Sequence, residues 1–119
     1  MKLVEVARFT DDVGALASFY RNLLGREPVA SSPGMAIFQV GGTKILLHET
    51  YEPGAGELPP EDHLAFAVQD LDAVCEVLLA RGLELEEDSR TYDWGRSAYL
   101  RDPGGQLIEL AEEMESHER

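Results

Sequence analysis

Cysteine is nearly absent from this chain of 119 residues: Cys75 stands alone, and one thiol cannot close an internal disulfide. It falls in a helical pattern with Val74, Val77 and Leu78, where a small buried hydrophobe suits, so a structural role is expected of it rather than a reactive one. Basic residues are also scarce, 10 against 23 acidic ones, for a formal net charge of −13. That balance opposes binding to nucleic acid or to an anionic membrane and favours cations or metal ions. No apolar run reaches the length of a membrane span, and the opening MKLVEVARFTDD has no long apolar stretch of the signal-peptide kind, so a cytoplasmic location is expected. No Ser-His-Asp arrangement, Walker loop or dinucleotide fingerprint is visible.

What is present is a repeating order of elements. Lys2 to Phe9 alternates as a strand. Asp11 or Asp12 then caps a helix whose apolar positions Val13, Leu16, Phe19, Tyr20, Leu23 and Leu24 recur at spacings of three and four, up to Gly25. Short strands are expected over Glu27 to Ala30, Met35 to Val40 and Thr43 to Glu49, punctuated by Ser31-Ser32-Pro33-Gly34 and Gly41-Gly42. The Pro-, Gly- and acid-rich stretch from Thr50 to Asp62 reads as a linker or surface lid. The order then restarts: a strand from His63 to Val68, a helix capped by Asp70 and stopped at Gly82, and strands near Leu83 to Glu87, Ser97 to Arg101 and Gln106 to Ala111.

Superposing the halves places Glu5 on His63, an offset of 58, and the helix-ending glycines Gly25 and Gly82 differ by 57. Shared element order, cap and stop indicate an internal duplication. The length suits one compact domain over 1–119, with module one at 1–49, the linker at 50–62, module two at 63–112 and a charged tail at 113–119. Each module has one helix to cover one sheet face, which leaves the other face for another purpose. In His63 to Val68, alternation sends Leu64, Phe66 and Val68 to one face and His63, Ala65 and Ala67 to the other. Glu5, Ala7 and Phe9 form the corresponding set in the first strand.

The second module ends in RSAYLRDPGGQLIEL, two strands around a turn whose Asp-Pro-Gly-Gly chemistry favours a hairpin. Its returning strand places Glu109 among apolar neighbours, where an unpaired charge is costly to bury. The residue either faces solvent or points into a cavity and binds a cation. Tyr99 shares the face of Glu109 only if the turn carries a bulge. Tyr92 and Trp94, in TYDWGRS, stand on a Gly-containing loop where an aromatic ring either closes over a ligand or packs inward. Arg96 and Arg101 are the nearest cations for an anionic substrate, unless they pair with surface carboxylates.

Three segments, EVARFTDD followed by FYRNLLG, DHLAFAVQDLD, and AYLRDPGGQLIEL, together resemble the vicinal oxygen chelate superfamily of glyoxalase I, fosfomycin-resistance proteins, extradiol dioxygenases and bleomycin-resistance proteins. The resemblance spans nearly everything from Lys2 to Glu112. It implies an α+β fold of two tandem βαβββ modules forming curved mixed sheets around a cleft. It also implies a metal site at Glu5, His48, His63 and Glu109, in which two imidazoles and two carboxylates suit Zn²⁺, Ni²⁺, Mn²⁺ or Fe²⁺. His48 stands where glyoxalase I usually has Glu, and Glu5 where the family usually has His or Gln, which counts against lactoylglutathione lyase activity in particular. Tyr99 lies at a tyrosine position of the fosfomycin-resistance proteins. With Trp94, Arg96 and Phe9 it is expected to contact substrate.

The expected activity is that of a metal-dependent lyase, isomerase or dioxygenase acting on a small oxygenated metabolite chelated through vicinal oxygens. Glu109 or Glu5 would serve as general base. The rival is a metal-free binding protein of the bleomycin-resistance kind, whose acidic cleft would suit a cationic ligand. A homodimer sharing its sites between chains is expected, because two small sheets with one helix each leave apolar surface that a short chain closes poorly.

Overall fold

The computed structural model describes residues 1–54 and 60–113, so most of the charged tail and the middle of the linker lie outside the described residues. It is an α+β structure with the order β1 (Lys2–Thr10), α1 (Val13–Leu24), β2 (Ala30–Ser32), β3 (Met35–Val40), β4 (Thr43–Glu49), β5 (His63–Val68), α2 (Leu71–Ala80), β6 (Glu87–Tyr92), β7 (Gly95–Arg101) and β8 (Leu107–Glu112). The βαβββ order thus occurs twice. Contacts divide the chain into two compact units, Glu5–His63 and Leu64–Arg119, the latter joined by Met1–Val4. No helix among the described residues is long and apolar enough to cross a membrane.

In the unit Glu5–His63 the strand order is β2-β3-β4-β1, with β1 parallel to β4 and the remaining neighbours antiparallel. Helix α1 begins where Asp12, not Asp11, accepts a hydrogen bond from the Ala15 N–H at 2.9 Å. It stops at Gly25, whose φ of 66° is a left-handed conformation that glycine adopts without a Cβ penalty. The helix packs on β3 and β4, burying Ala17, Ala36, Phe38 and Leu47 with Leu16, Tyr20, Leu24 and Ile45 around them. In β4 the residues under the helix are therefore Ile45 and Leu47, and alternation leaves Lys44, Leu46 and His48 on the opposite face.

The first short strand sits later than the sequence suggests, at Ala30–Ser32 instead of Glu27 to Ala30. Pro28 has no N–H to give a ladder, so pairing begins beyond it, and Ser31 and Ser32 take part in the strand by facing Ala36 and Met35.

The second unit repeats the plan with the strand order β5-β8-β7-β6. Asp70 caps α2 by accepting from Ala73 N–H at 3.1 Å, and Glu112 of β8 accepts from Leu71 N–H at 3.0 Å. The core under α2 contains Val68, Leu71, Cys75, Ala98, Leu100 and Leu110, with Phe66 against it, so the bulky residues of β5 do pack toward the helix. Cys75 is buried there, and burial raises its thiol pKa, which opposes thiolate reactivity. An apolar cavity of about 670 Å³, lined by Met1, Leu78, Leu83, Leu85 and Ile108 among others, lies in this unit.

The strand expected near Leu83 to Glu87 forms at Glu87–Tyr92 instead. Leu85 is drawn into the core, and the charged run that follows makes the outermost strand of its sheet, where polar side chains protect an edge. TYDWGRS is consequently the hairpin between β6 and β7. Tyr92 pairs with Gly95, whose φ of 135° lies in a region L side chains rarely adopt.

Candidate metal centre

The face away from each helix carries the polar chemistry. In the unit Glu5–His63, β1 presents Glu5, Ala7 and Phe9, which lie opposite Lys44, Leu46 and His48 of β4. His63 opens β5, and one of its ring nitrogens lies within 4.8 Å of a Glu5 carboxylate oxygen. His63 Nδ1 is 2.9 Å from the Glu61 carbonyl oxygen. A ring nitrogen beside a carbonyl must carry the proton, which puts the lone pair of the neutral imidazole on Nε2, as a metal-ligating histidine requires. Asp62, one residue earlier, ties this segment to β1 by accepting from Phe9 N–H at 2.7 Å and Arg8 Nε at 3.0 Å. Hydrogen bonding by Asp62 raises the Arg8 pKa, with burial opposing it.

His48 does not join Glu5 and His63. It shares their face, but it pairs with Phe9 while Glu5 pairs with Lys44. Four strand residues separate the two levels, about 13 Å at roughly 3.3 Å per residue, more than two side chains span to a common ion. His48 instead turns its Nδ1 toward the Glu49 carbonyl at 2.8 Å. Phe9, expected at a substrate, stands in an aromatic group whose ring centroids lie 5.6 Å from His48, 6.2 Å from Tyr51 and 6.2 Å from His63.

In the second unit Glu109 is only 6 % exposed, and it is not on a solvated surface. Its Oε2 accepts from Ser97 Oγ–H at 2.7 Å, and Ser97 in turn accepts from the Trp94 indole N–H at 3.4 Å. Tyr99 lies directly opposite Glu109 across the β7–β8 pair. The reason is the turn: Arg101 faces Leu107, leaving five residues, Asp102–Gln106, in the connection. Within it Asp102 Oδ1 accepts from the N–H groups of Gly104 and Gln106 at 2.9 and 3.0 Å. Burial, followed by the charge of Glu109, drives the Tyr99 pKa far above the ordinary phenol value, and its hydroxyl also hydrogen-bonds Glu109. Tyr99 therefore remains a protonated donor at neutral pH.

Arg96, expected to meet an anionic substrate, is on the wrong face. Alternation within β7 puts it on the side of α2, where its guanidinium holds Asp72 at 3.1 Å and Glu112 at 3.5 Å. Trp94 is 63 % exposed at the hairpin tip and stacks on Tyr92 at 4.5 Å with an interplanar angle of 9°. Sequence reasoning missed Ser97 as the partner of Glu109. Its signal was the alternation of Ser97 and Tyr99 with the core residues Ala98 and Leu100.

The residues fit a divalent ion by donor chemistry: a carboxylate and an imidazole held in the correct tautomer, and a buried carboxylate oriented by hydroxyl donors. The chain belongs to the Glyoxalase/Bleomycin resistance protein/Dioxygenase superfamily, whose sequence model matches residues 2–110. Members of this superfamily typically use divalent metals and bind small molecules. Among its relatives is the metallothiol transferase FosB of Shouchella clausii (strain KSM-K16), 30% identical over 112 residues, covering 86% of this chain and 77% of that protein. The structure of methylmalonyl-CoA epimerase from Mycobacterium tuberculosis is similar, with a TM-score of 0.69, 26% identity and coverage of 96% and 89%. A glyoxalase/bleomycin resistance protein/dioxygenase superfamily member from Vibrio splendidus 12B01 shares the fold at a TM-score of 0.65 and 18% identity, over 94% of this chain and 98% of that one.

Proposed function

We propose that this chain is a metal-dependent enzyme in which Glu5, His63 and Glu109 hold one divalent ion and a small oxygenated substrate binds through two adjacent oxygens. The observation that carries the reading is that a Glu5 carboxylate oxygen and a His63 ring nitrogen lie within 4.8 Å of each other on the face away from α1, while the other unit buries the Glu109 carboxylate on the face away from α2. A bound ion would supply Lewis-acid stabilisation of negative charge developing on a substrate oxygen. The chain's own residues do the rest. The Glu61 carbonyl holds His63 in the Nδ1–H tautomer, Ser97 fixes one oxygen of Glu109, and Tyr99 stands beside Glu109 as a neutral hydrogen-bond donor.

Three ligands in place of four favour the arrangement of the fosfomycin-resistance proteins over that of glyoxalase I, and the 30% identity to a metallothiol transferase points the same way. The reaction class we favour is therefore nucleophilic addition to a small oxygenated molecule. The protein works in the cytoplasm as a homodimer that shares its sites between chains. The exposed Trp94 ring, stacked on Tyr92, favours a second reading, a metal-free protein that sequesters a flat ligand. Metal analysis of protein purified without chelator separates the two. About one equivalent of a transition metal, lost in Glu109→Ala, supports the enzyme; no metal and no metal affinity leaves only the sequestering protein.

A further inference from the structure

The Tyr92 hydroxyl is buried and has no hydrogen-bond partner among the described residues. Its ring is well held: it stacks on Trp94, meets Tyr99 edge-on at a centroid separation of 6.0 Å, and carries the Arg90 guanidinium 4.6 Å above its centroid. Any aromatic side chain would satisfy those packing contacts. A phenylalanine would do so without an unpaired buried hydroxyl, which costs stability because water's hydrogen bond is lost and not replaced.

The hydroxyl is on the side of the sheet that carries Glu109. Arg90 lies opposite Ser97 and Tyr92 opposite Gly95, so Tyr92 shares a face with Ser97, and Ser97 shares one with Tyr99 and Glu109. The other polar groups on this face already have donors and acceptors. The Trp94 N–H serves Ser97, the Ser97 hydroxyl serves Glu109, and the Tyr99 phenol also bonds Glu109. Tyr92 alone on this list brings a donor with nothing to receive it. Burial raises its pKa despite the opposing Arg90 charge, so it keeps that proton at neutral pH.

We propose that Tyr92 is a ligand-binding residue whose O–H donates to an anionic oxygen of the bound molecule, making the substrate a small oxyanion-bearing compound of the carboxylate or phosphate kind. The inference rests on the metal-centre reading and deepens it: on the face that carries Glu109, Tyr92, with the positive charge of Arg90 beside its ring, receives the substrate's negative end. A neutral phenol is suited to this place. It adds no charge near Glu109, and a hydrogen bond to an ionised acceptor is stronger than one between neutral groups.

Tyr92→Phe in the full chain tests the inference, with Mn²⁺ as the metal and oxalate, a dianion with adjacent oxygens, as the probe. Trp94 is the single tryptophan of the chain and stacks on Tyr92, so its fluorescence reports binding at this face, and calorimetry gives the affinity. In the variant, oxalate binding to the Mn²⁺-loaded protein is expected to weaken roughly tenfold or more. Mn²⁺ affinity is expected to stay unchanged, and Tm to hold or rise. Equal oxalate affinity in both proteins, no oxalate binding by the loaded unmodified protein, or a lowered Tm revealing an internal partner for the hydroxyl would each overturn the inference while leaving the metal centre standing. Failure of the unmodified protein to bind Mn²⁺ would overturn the metal centre and this inference with it.

Discussion

The two βαβββ units are alike on their helix faces and unlike on the others. Ala17 of α1 packs on Ala36, Phe38 and Leu47, and Leu71 of α2 packs with Val68, Ala98, Leu100 and Leu110, both layers apolar cores of the same design. On the opposite faces the unit Glu5–His63 presents Glu5 and His63 with a group of half-exposed aromatic rings around His48. The second unit presents a buried carboxylate with hydroxyl donors fixed on it. A duplicated helix layer beside diverged opposite faces shows which surface must be kept for folding and which is available for chemistry.

Removing Phe38, fully buried under α1, should break the part the units share. Phe38→Ala is expected to cost about 3–5 kcal/mol in denaturant unfolding, because it leaves a cavity as well as losing burial. Glu109→Ala breaks the part they do not share. Metal affinity should fall by about 100-fold or more while the helix-side core keeps the fold, as equilibrium dialysis and circular dichroism would report. Mixing Glu5→Ala with Glu109→Ala subunits under demonstrated exchange should restore part of the metal binding, because a heterodimer with shared sites has one intact site; no recovery would assign each site to a single chain.

Ser97→Ala tests whether orientation of Glu109 matters apart from its charge, with an expected loss of roughly 10-fold in metal affinity and Glu109 still present. His48→Ala, the corresponding probe in the other unit, should leave metal affinity unchanged, since register holds His48 at the level of Phe9. A large effect there would restore a fourth ligand.

The smallest difference is in alkaline stability. Burial raises the Tyr99 pKa above its ordinary value of 10.0, so the native state favours the neutral phenol. That contribution is complete below pH 10 and is lost as pH rises beyond it, where the unfolded chain gives up the proton and the native state resists doing so. Tyr99→Phe should flatten the fall in Tm above pH 10. A wild-type slope in the variant would assign the alkaline loss to other groups, of which Cys75 and Tyr92 are raised in the same direction.

Much of this was legible in the chain itself, because the signals are local. Asp12 and Asp70 announce helix starts through their own side chains, Gly25 announces a stop through its backbone freedom, and alternation along HLAFAV divides core from opposite face without knowledge of any partner strand. The isolated carboxylate of Glu109 among apolar neighbours likewise marks a site by its cost. Tertiary structure decided what depends on pairing between strands. A five-residue connection, in place of a four-residue one, put Tyr99 beside Glu109, and the parallel register of β1 on β4 carried His48 past Glu5 to the level of Phe9. The edge position of β6 made a strand of charged residues, and strand alternation turned Arg96 toward Asp72. Residues far apart in sequence set these registers jointly, and because side chains alternate every residue, a slip of one position sends each of them to the other face.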